Sequence, residues 1–262
     1  MSVVHLADGD LHYQFEGPTS APVLVLSNSL GTDLHMWDVQ MPVWREHFRV
    51  LRFDTRGHGE SLAPLGPYSI EQMGHDVLAL LDHLAIAQAH FCGLSMGGLI
   101  GQWLAINAAD RLRKLVLCNT AAKIGNDEVW NSRIQLVEQG GAQAMHDLRD
   151  ASIARWFTPA FAETHAEQAE LITEMLAATP SLGYSACCAA VRDADYRAQL
   201  DEIKAPTLIV AGTADVVTTP EHARFLQAGI EGAEYAEFPA AHLSNVEAGD
   251  AFTQAVLTFL KA

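Results

Sequence analysis

Gly93-Leu94-Ser95-Met96-Gly97 constrains this chain more than any other feature, because of what flanks it. As a bare string, Gly-x-Ser-x-Gly occurs by chance. Here it follows Ala89-His90-Phe91-Cys92, which reads as a buried strand, and it precedes an apolar helical stretch at 99–108. A nucleophile raised on a sharp strand-to-helix turn sits in a strained backbone conformation, so the residues two before and two after must lack bulk. The helix start then directs N–H groups and the positive end of its dipole at developing negative charge. The pattern predicts that Ser95 is a nucleophile. The competing reading is a glycine-rich turn with an accidental serine.

The rest of the chain fits a sheet that would carry such a turn. Two alternating runs, 3–7 and 11–15, are joined through Asp8-Gly9-Asp10, a hairpin signal. Short apolar runs follow: Val23-Leu24-Val25-Leu26, Val50-Leu51-Arg52-Phe53, Lys114-Leu115-Val116-Leu117-Cys118 and Thr207-Leu208-Ile209-Val210-Ala211. Glu234-Tyr235-Ala236-Glu237-Phe238 is a weaker member of the series. Continuous apolar runs suit strands covered on both faces. Helical periodicity separates them at 70–84, 99–108, 221–228 and 248–260, which argues for a mostly parallel α/β sheet flanked by helices.

One segment breaks the alternation. Residues 123–196 contain no convincing strand, only helical stretches at 128–139, 162–178 and 182–191. A structureless loop of that length is uncommon in a compact domain. The expectation is a helical cap at 123–196, inserted into a core made of 1–122 and 197–262.

A serine hydroxyl needs a base, and the base needs an orienting acid. On a fold of this kind the chain order is serine, acid, histidine. Of the twelve histidines, only His242 lies late in the chain just past a predicted strand. Asp215 follows the 207–211 strand and is the expected acid; a turn-capping role is its alternative. Asp193 and Asp195 are weaker candidates, and His222 reads as an exposed helix residue. The oxyanion hole is expected from the N–H groups of Met96 and of Leu30, in the loop Ser27-Asn28-Ser29-Leu30-Gly31-Thr32.

Composition narrows the partners. The net charge of −16 disfavours nucleic acid and anionic membrane surfaces. No apolar stretch approaches the ~20 residues of a membrane span, and Met1-Ser2-Val3-Val4-His5 does not open a signal peptide. Cys92, Cys118, Cys187 and Cys188 form no metal-ligand spacing and are read as reduced thiols of a cytoplasmic protein.

By these residues the chain resembles the α/β-hydrolase superfamily along essentially its whole length. Asp54-Thr55-Arg56-Gly57-His58-Gly59-Glu60-Ser61 is similar to the superfamily's turn before the nucleophile strand, where His58 is structural. The early loop has Asn28-Ser29 in place of the common His-Gly pair. Asn28-Ser29-Leu30-Gly31-Thr32, Met36-Trp37-Asp38, Cys92-Gly93-Leu94-Ser95-Met96-Gly97-Gly98 and Trp156-Phe157-Thr158 together resemble the 3-oxoadipate enol-lactonase family. The resemblance implies hydrolysis of an enol-lactone in aromatic catabolism, through an acyl-enzyme on Ser95 and with no metal or organic cofactor.

The implied substrate is a small lactone bearing a carboxylate, which calls for a cation in a largely apolar pocket. Arg133, Arg149, Arg155 and Arg192 lie in the expected cap. Trp130 and Arg133 share a helix face by their spacing, and Trp130, Arg133 and Trp156 are the expected substrate contacts. Rival activities on the same scaffold are those of a carboxylesterase, a carbon–carbon bond hydrolase or a perhydrolase. A rival of another class is a ligand-sensing receptor.

Overall fold

The computed structural model describes residues 2–262. The chain enters as a hairpin of β1 (Ser2–Leu6) and β2 (Gly9–Glu16), paired antiparallel with Leu6 opposite Gly9. The reversal falls on Ala7-Asp8, so Gly9 closes the turn and already belongs to β2. Its φ of 143° favours glycine, and a Cβ there would meet the Leu62 Cβ at 2.8 Å.

Strands and helices then alternate: β3 (Val23–Ser27), α1 (Met41–Trp44), β4 (Arg49–Phe53), α2 (Ile70–His83), β5 (Ala89–Leu94), α3 (Met96–Asn107) and β6 (Leu112–Cys118). Four helices follow without a strand: α4 (Asp127–Trp156), α5 (Pro159–Thr164), α6 (Ala166–Ala178) and α7 (Ser181–Asp193). The alternation resumes with β7 (Thr207–Gly212), α8 (Pro220–Gly229), β8 (Glu234–Phe238), α9 (Ser244–Glu247) and α10 (Gly249–Lys261).

The eight strands form one sheet in the order β1-β2-β4-β3-β5-β6-β7-β8. Pairing is antiparallel from β1 through β2 to β4 and parallel from β4 to β8. Every residue of β5 and of β7 is buried, which explains their unbroken apolar sequence. β8 lies at the sheet edge, only partly covered, and carries Glu234 and Glu237 accordingly.

The helices begin and end for identifiable reasons. The Ser69 hydroxyl accepts from the Gln72 N–H and caps α2, whose face Ile70, Met73, Val77, Leu80 and Leu81 is buried. Phe252 of α10 packs on Trp37 and Trp44, with ring centroids 6.4 and 6.3 Å away. Fully burying such a ring is worth roughly 3 kcal/mol.

The four helices between β6 and β7 differ in detail from the expected stretches. Gly141, at φ 54° and ψ −135°, kinks α4 without ending it, and the chain continues helically to Trp156. The helical stretch expected at 128–139 thus extends well past Gly140-Gly141. Beyond it, Ala144, Met145, Leu148, Ser152 and Trp156 form a buried face that tertiary packing stabilises. The single helix expected at 162–178 is two, broken at His165, whose φ of −128° and ψ of 44° are not helical. α4 packs on α6 and α7.

All four cysteines are free and buried. The Cys92 and Cys118 sulfurs lie 3.8 Å apart, well beyond a disulfide bond. Among the described residues, no helix is long and apolar enough to cross a membrane.

Candidate active site

β5 ends at Leu94 and α3 starts at Met96, so Ser95 alone makes the turn, at φ 57° and ψ −112°. A non-glycine residue in that region costs roughly 1–3 kcal/mol. Neighbouring bonds hold it there: Ser95 N–H donates to the Cys118 carbonyl at 3.0 Å, and the Thr120 hydroxyl donates to the Ser95 carbonyl at 2.8 Å. The flanking glycines are required by contact. A Cβ on Gly93 would lie 2.1 Å from the Gly97 carbonyl oxygen, and one on Gly97 would lie 2.3 Å from that of Ser27.

The loop after β3 sits against this turn. Asn28 accepts from the Trp37 indole at 3.0 Å, donates to the Phe53 carbonyl at 2.8 Å, and its own carbonyl accepts from Gly97 N–H at 3.1 Å. Gly31 N–H donates to His58 Nε2 at 2.8 Å, which puts the ring proton on Nδ1. Burial pushes the His58 pKa down to about 4, so the ring is neutral. Leu30 and Met96 both line one cavity. Among the described residues, neither the Leu30 nor the Met96 N–H donates a hydrogen bond to the protein. Two idle donors beside a strained serine are what an oxyanion hole requires.

Asp215 and His242 meet across the ends of β7 and β8. His242 Nδ1 donates to Asp215 Oδ2 at 2.9 Å. The same oxygen accepts from Asn119 Nδ2 at 2.9 Å and the Thr218 hydroxyl at 2.8 Å, while Oδ1 accepts from the N–H groups of Val217 and Thr218 at 2.8 and 3.0 Å. Burial pushes the carboxyl pKa up, but the His242 charge and the bonds from His242, Asn119 and Thr218 outweigh it and leave the pKa at about 2. The carboxylate fixes the imidazole with Nε2 free to accept a proton. Ser95 and His242 line one cavity; among the described residues their side chains are not hydrogen-bonded to each other. Such bonds often tighten only when substrate binds.

That cavity has a volume of about 50 Å³ and is partly open to solvent. Its far wall comes from α4 and α7 and includes Trp130, Arg133, Ser152, Arg155, Trp156 and Tyr184. The Arg133 guanidinium lies 5.7 Å from the Trp130 ring centroid and donates to the Tyr184 hydroxyl at 3.3 Å. Arg155 donates to the Ser152 hydroxyl at 2.9 Å, while its buried Nε has no partner. Burial, and then the nearby charge of Arg133, lowers the Arg155 pKa. Among the described residues, neither arginine pairs with a carboxylate.

The structure therefore brings Ser95, His242, Leu30, Met96, Trp130, Arg133 and Trp156 to one cavity, with Asp215 directly behind His242. Two of the four candidate arginines face elsewhere: Arg149 pairs with Asp150 and Glu174 on the surface, and Arg192 pairs with Asp193. Asp195 is taken by Arg197. His222 is exposed on α8, where it completes a capping box with Thr219. Sequence reasoning missed Asn119, Thr218, Ser152 and Tyr184. Asn119 directly follows a strand, as Ser95 does, and that position was the one available signal.

Comparison with known proteins places the chain in a family. Residues 22–248 match the family model of the alpha/beta hydrolase fold. The chain is 45% identical to 3-oxoadipate enol-lactonase 2 of Acinetobacter baylyi, over 97% of this chain and 94% of that one. It is 41% identical to 3-oxoadipate enol-lactonase 1 of the same organism, over 96% and 93%. The crystal structure of the enol-lactonase from Burkholderia xenovorans superposes with a TM-score of 0.97 at 47% identity, covering all of both chains. The chain belongs to the α/β-hydrolase fold family and, within it, to the family of the 3-oxoadipate enol-lactonases.

Proposed function

We propose that this protein hydrolyses 3-oxoadipate enol-lactone to 3-oxoadipate, with Ser95 as nucleophile, His242 as base and Asp215 as its orienting acid. One observation carries the reading: a strained serine, a carboxylate-fixed histidine and two unused N–H donors share a cavity with two arginines that lack carboxylate partners. The relatives named above supply the substrate class. Residues 123–196 act as a cap over a core of 1–122 and 197–262.

The chemistry follows from the positions. Ser95 Oγ adds to the lactone carbonyl carbon as its proton passes to His242 Nε2. The Leu30 and Met96 N–H groups hold the resulting oxyanion. Collapse breaks the bond to the ring oxygen and expels an enolate, which takes the proton from His242 and tautomerises to the ketone. An enolate leaves more readily than an alkoxide, so acylation is the easier half. Water, deprotonated by His242, then attacks the acyl-enzyme, and 3-oxoadipate departs. Arg133 and Arg155 bind the carboxylate already present on the substrate, while Trp130 and Trp156 form the apolar wall. The partner is thus a small anionic lactone, and four buried free thiols suit a reducing compartment such as the cytoplasm.

The test is the loss of ultraviolet absorbance of freshly generated enol-lactone, corrected for spontaneous hydrolysis, for wild type and Ser95→Ala. Rapid turnover that disappears in the variant is expected. Folded wild type that leaves the lactone untouched would sink the substrate claim, and a panel of nitrophenyl esters and diketones would then locate the activity.

A further inference from the structure

Glu247, on the short helix α9, has no place in the chemistry above, yet three donors from two parts of the chain converge on its carboxylate. The Thr158 hydroxyl donates to Oε1, and Thr158 N–H lies 3.3 and 3.2 Å from the two oxygens. Ala241 N–H donates to Oε2 at 2.9 Å. Thr158 caps α5 and follows the end of α4, whereas Ala241 directly precedes His242. A second bond runs alongside: Leu243 N–H, just after His242, donates to the Trp156 carbonyl at 3.0 Å.

The residues on both sides of His242 are therefore tied to Trp156-Phe157-Thr158, Leu243 directly and Ala241 through Glu247. Trp156 also lines the cavity, so the wall that meets substrate and the loop that carries the base are joined by hydrogen bonds. The remaining anchor on Ala241 is Asn119, whose amide donates to its carbonyl at 3.2 Å.

We infer that Glu247 is a positioning residue, which latches the Trp156-Phe157-Thr158 segment to the His242 loop and so couples the seating of the helical cap to the placement of the base. The inference rests on His242 being the base. A glutamine is a poorer latch: its oxygen can still serve the Ala241 N–H, but its NH₂ would then face the Thr158 N–H, and only the Thr158 hydroxyl could turn to accept from it. The charge also shortens and strengthens these bonds.

The experiment compares wild type, Glu247→Gln, Thr158→Val and the double variant, using diisopropyl fluorophosphate as the probe. This reagent phosphorylates an activated serine and releases fluoride, so it reports on Ser95 and His242 without relying on the lactone. The inference expects Glu247→Gln to slow phosphorylation of Ser95 about tenfold and to lower kcat for ester turnover with KM changed less than about twofold. Thermal unfolding verifies that each variant is folded. Because one latch is cut from either end, the double variant should be no slower than the slower single variant. Folded Glu247→Gln that reacts at the wild-type rate overturns the inference, as do losses that multiply in the double variant. Wild type that fails to react at Ser95 removes the base assignment and the latch with it. Wild type that reacts but ignores the enol-lactone loses only the substrate reading, and the latch is still decided by the phosphorylation rates.

Discussion

Gly31 N–H donates to His58 Nε2 at 2.8 Å, so the loop after β4 holds the loop after β3 next to Leu30, which lines the same cavity as Ser95. The bond exists only while His58 is neutral. Burial lowers its pKa from 6.5 to about 4, so an unfolded chain binds this proton before the folded one does. The associated stability is full above pH 6.5 and is lost as pH falls towards 4, with a ceiling of roughly 3 kcal/mol. His58→Gln keeps an acceptor for Gly31 but cannot titrate. Urea unfolding at pH 7, 5.5 and 4.5 should show a shallower loss of stability for the variant than for wild type. Equal slopes would mean that His58 is not the titrating group.

Asp215→Asn tests the orienting acid. The asparagine NH₂ would face donors on at least one side, and His242 would turn its other tautomer towards Ser95. Loss of about 10³–10⁴-fold in kcat is expected, as for comparable changes in other serine hydrolases. With its pKa held at about 2, the Asp215 carboxylate is ionised across the usual assay range. A folded variant that keeps more than about a tenth of the wild-type kcat at pH 7 would contradict this role.

How much of this was legible in the sequence depended on whether a residue acts locally or through packing. Ser95, Asp215 and His242 each follow a strand, so chain order and strand ends were enough to nominate them. The parallel sheet was legible because burial on both faces leaves uninterrupted apolar runs. The second half of α4 was not, since Gly140-Gly141 carries a local stop signal that packing of Met145, Leu148 and Trp156 overrides. Arg155 could not be separated from Arg149 by sequence: both sit on the same helix, and only the fold turns one to the cavity and the other to Glu174. Glu247 was invisible because its partners lie 89 and 6 positions away.

The paired arginines predict a charge-specific defect. Arg155 has an unpartnered buried Nε and a single hydroxyl contact, so its guanidinium has donors left for the proposed substrate carboxylate. A charge-assisted bond contributes about 1.5–3 kcal/mol. Arg155→Met should raise KM for the enol-lactone by roughly 10- to 100-fold, while kcat/KM for uncharged nitrophenyl acetate stays within about twofold. Arg133→Met should act in the same direction. Equal losses on both substrates would assign these arginines to structure rather than to carboxylate recognition.

Two glycines of α3 separate contact with backbone from contact with side chain. A Cβ on Gly97 would lie 2.3 Å from the Ser27 carbonyl oxygen and 2.6 Å from its carbon, and a β-strand end cannot retreat. Gly97 N–H also holds the Asn28 carbonyl, so any displacement is transmitted to Leu30 two residues on. A Cβ on Gly101 would meet the Phe91 ring at 3.0 Å, and a ring can shift by the few tenths of an ångström required. Gly97→Ala should therefore cost about 3 kcal/mol or more and lower kcat by over 100-fold in whatever fraction folds. Gly101→Ala should cost about 1 kcal/mol and leave kcat nearly intact. Urea midpoints and turnover of the two purified variants decide the matter: similar kcat losses in both would mean that the oxyanion loop does not take its position from α3.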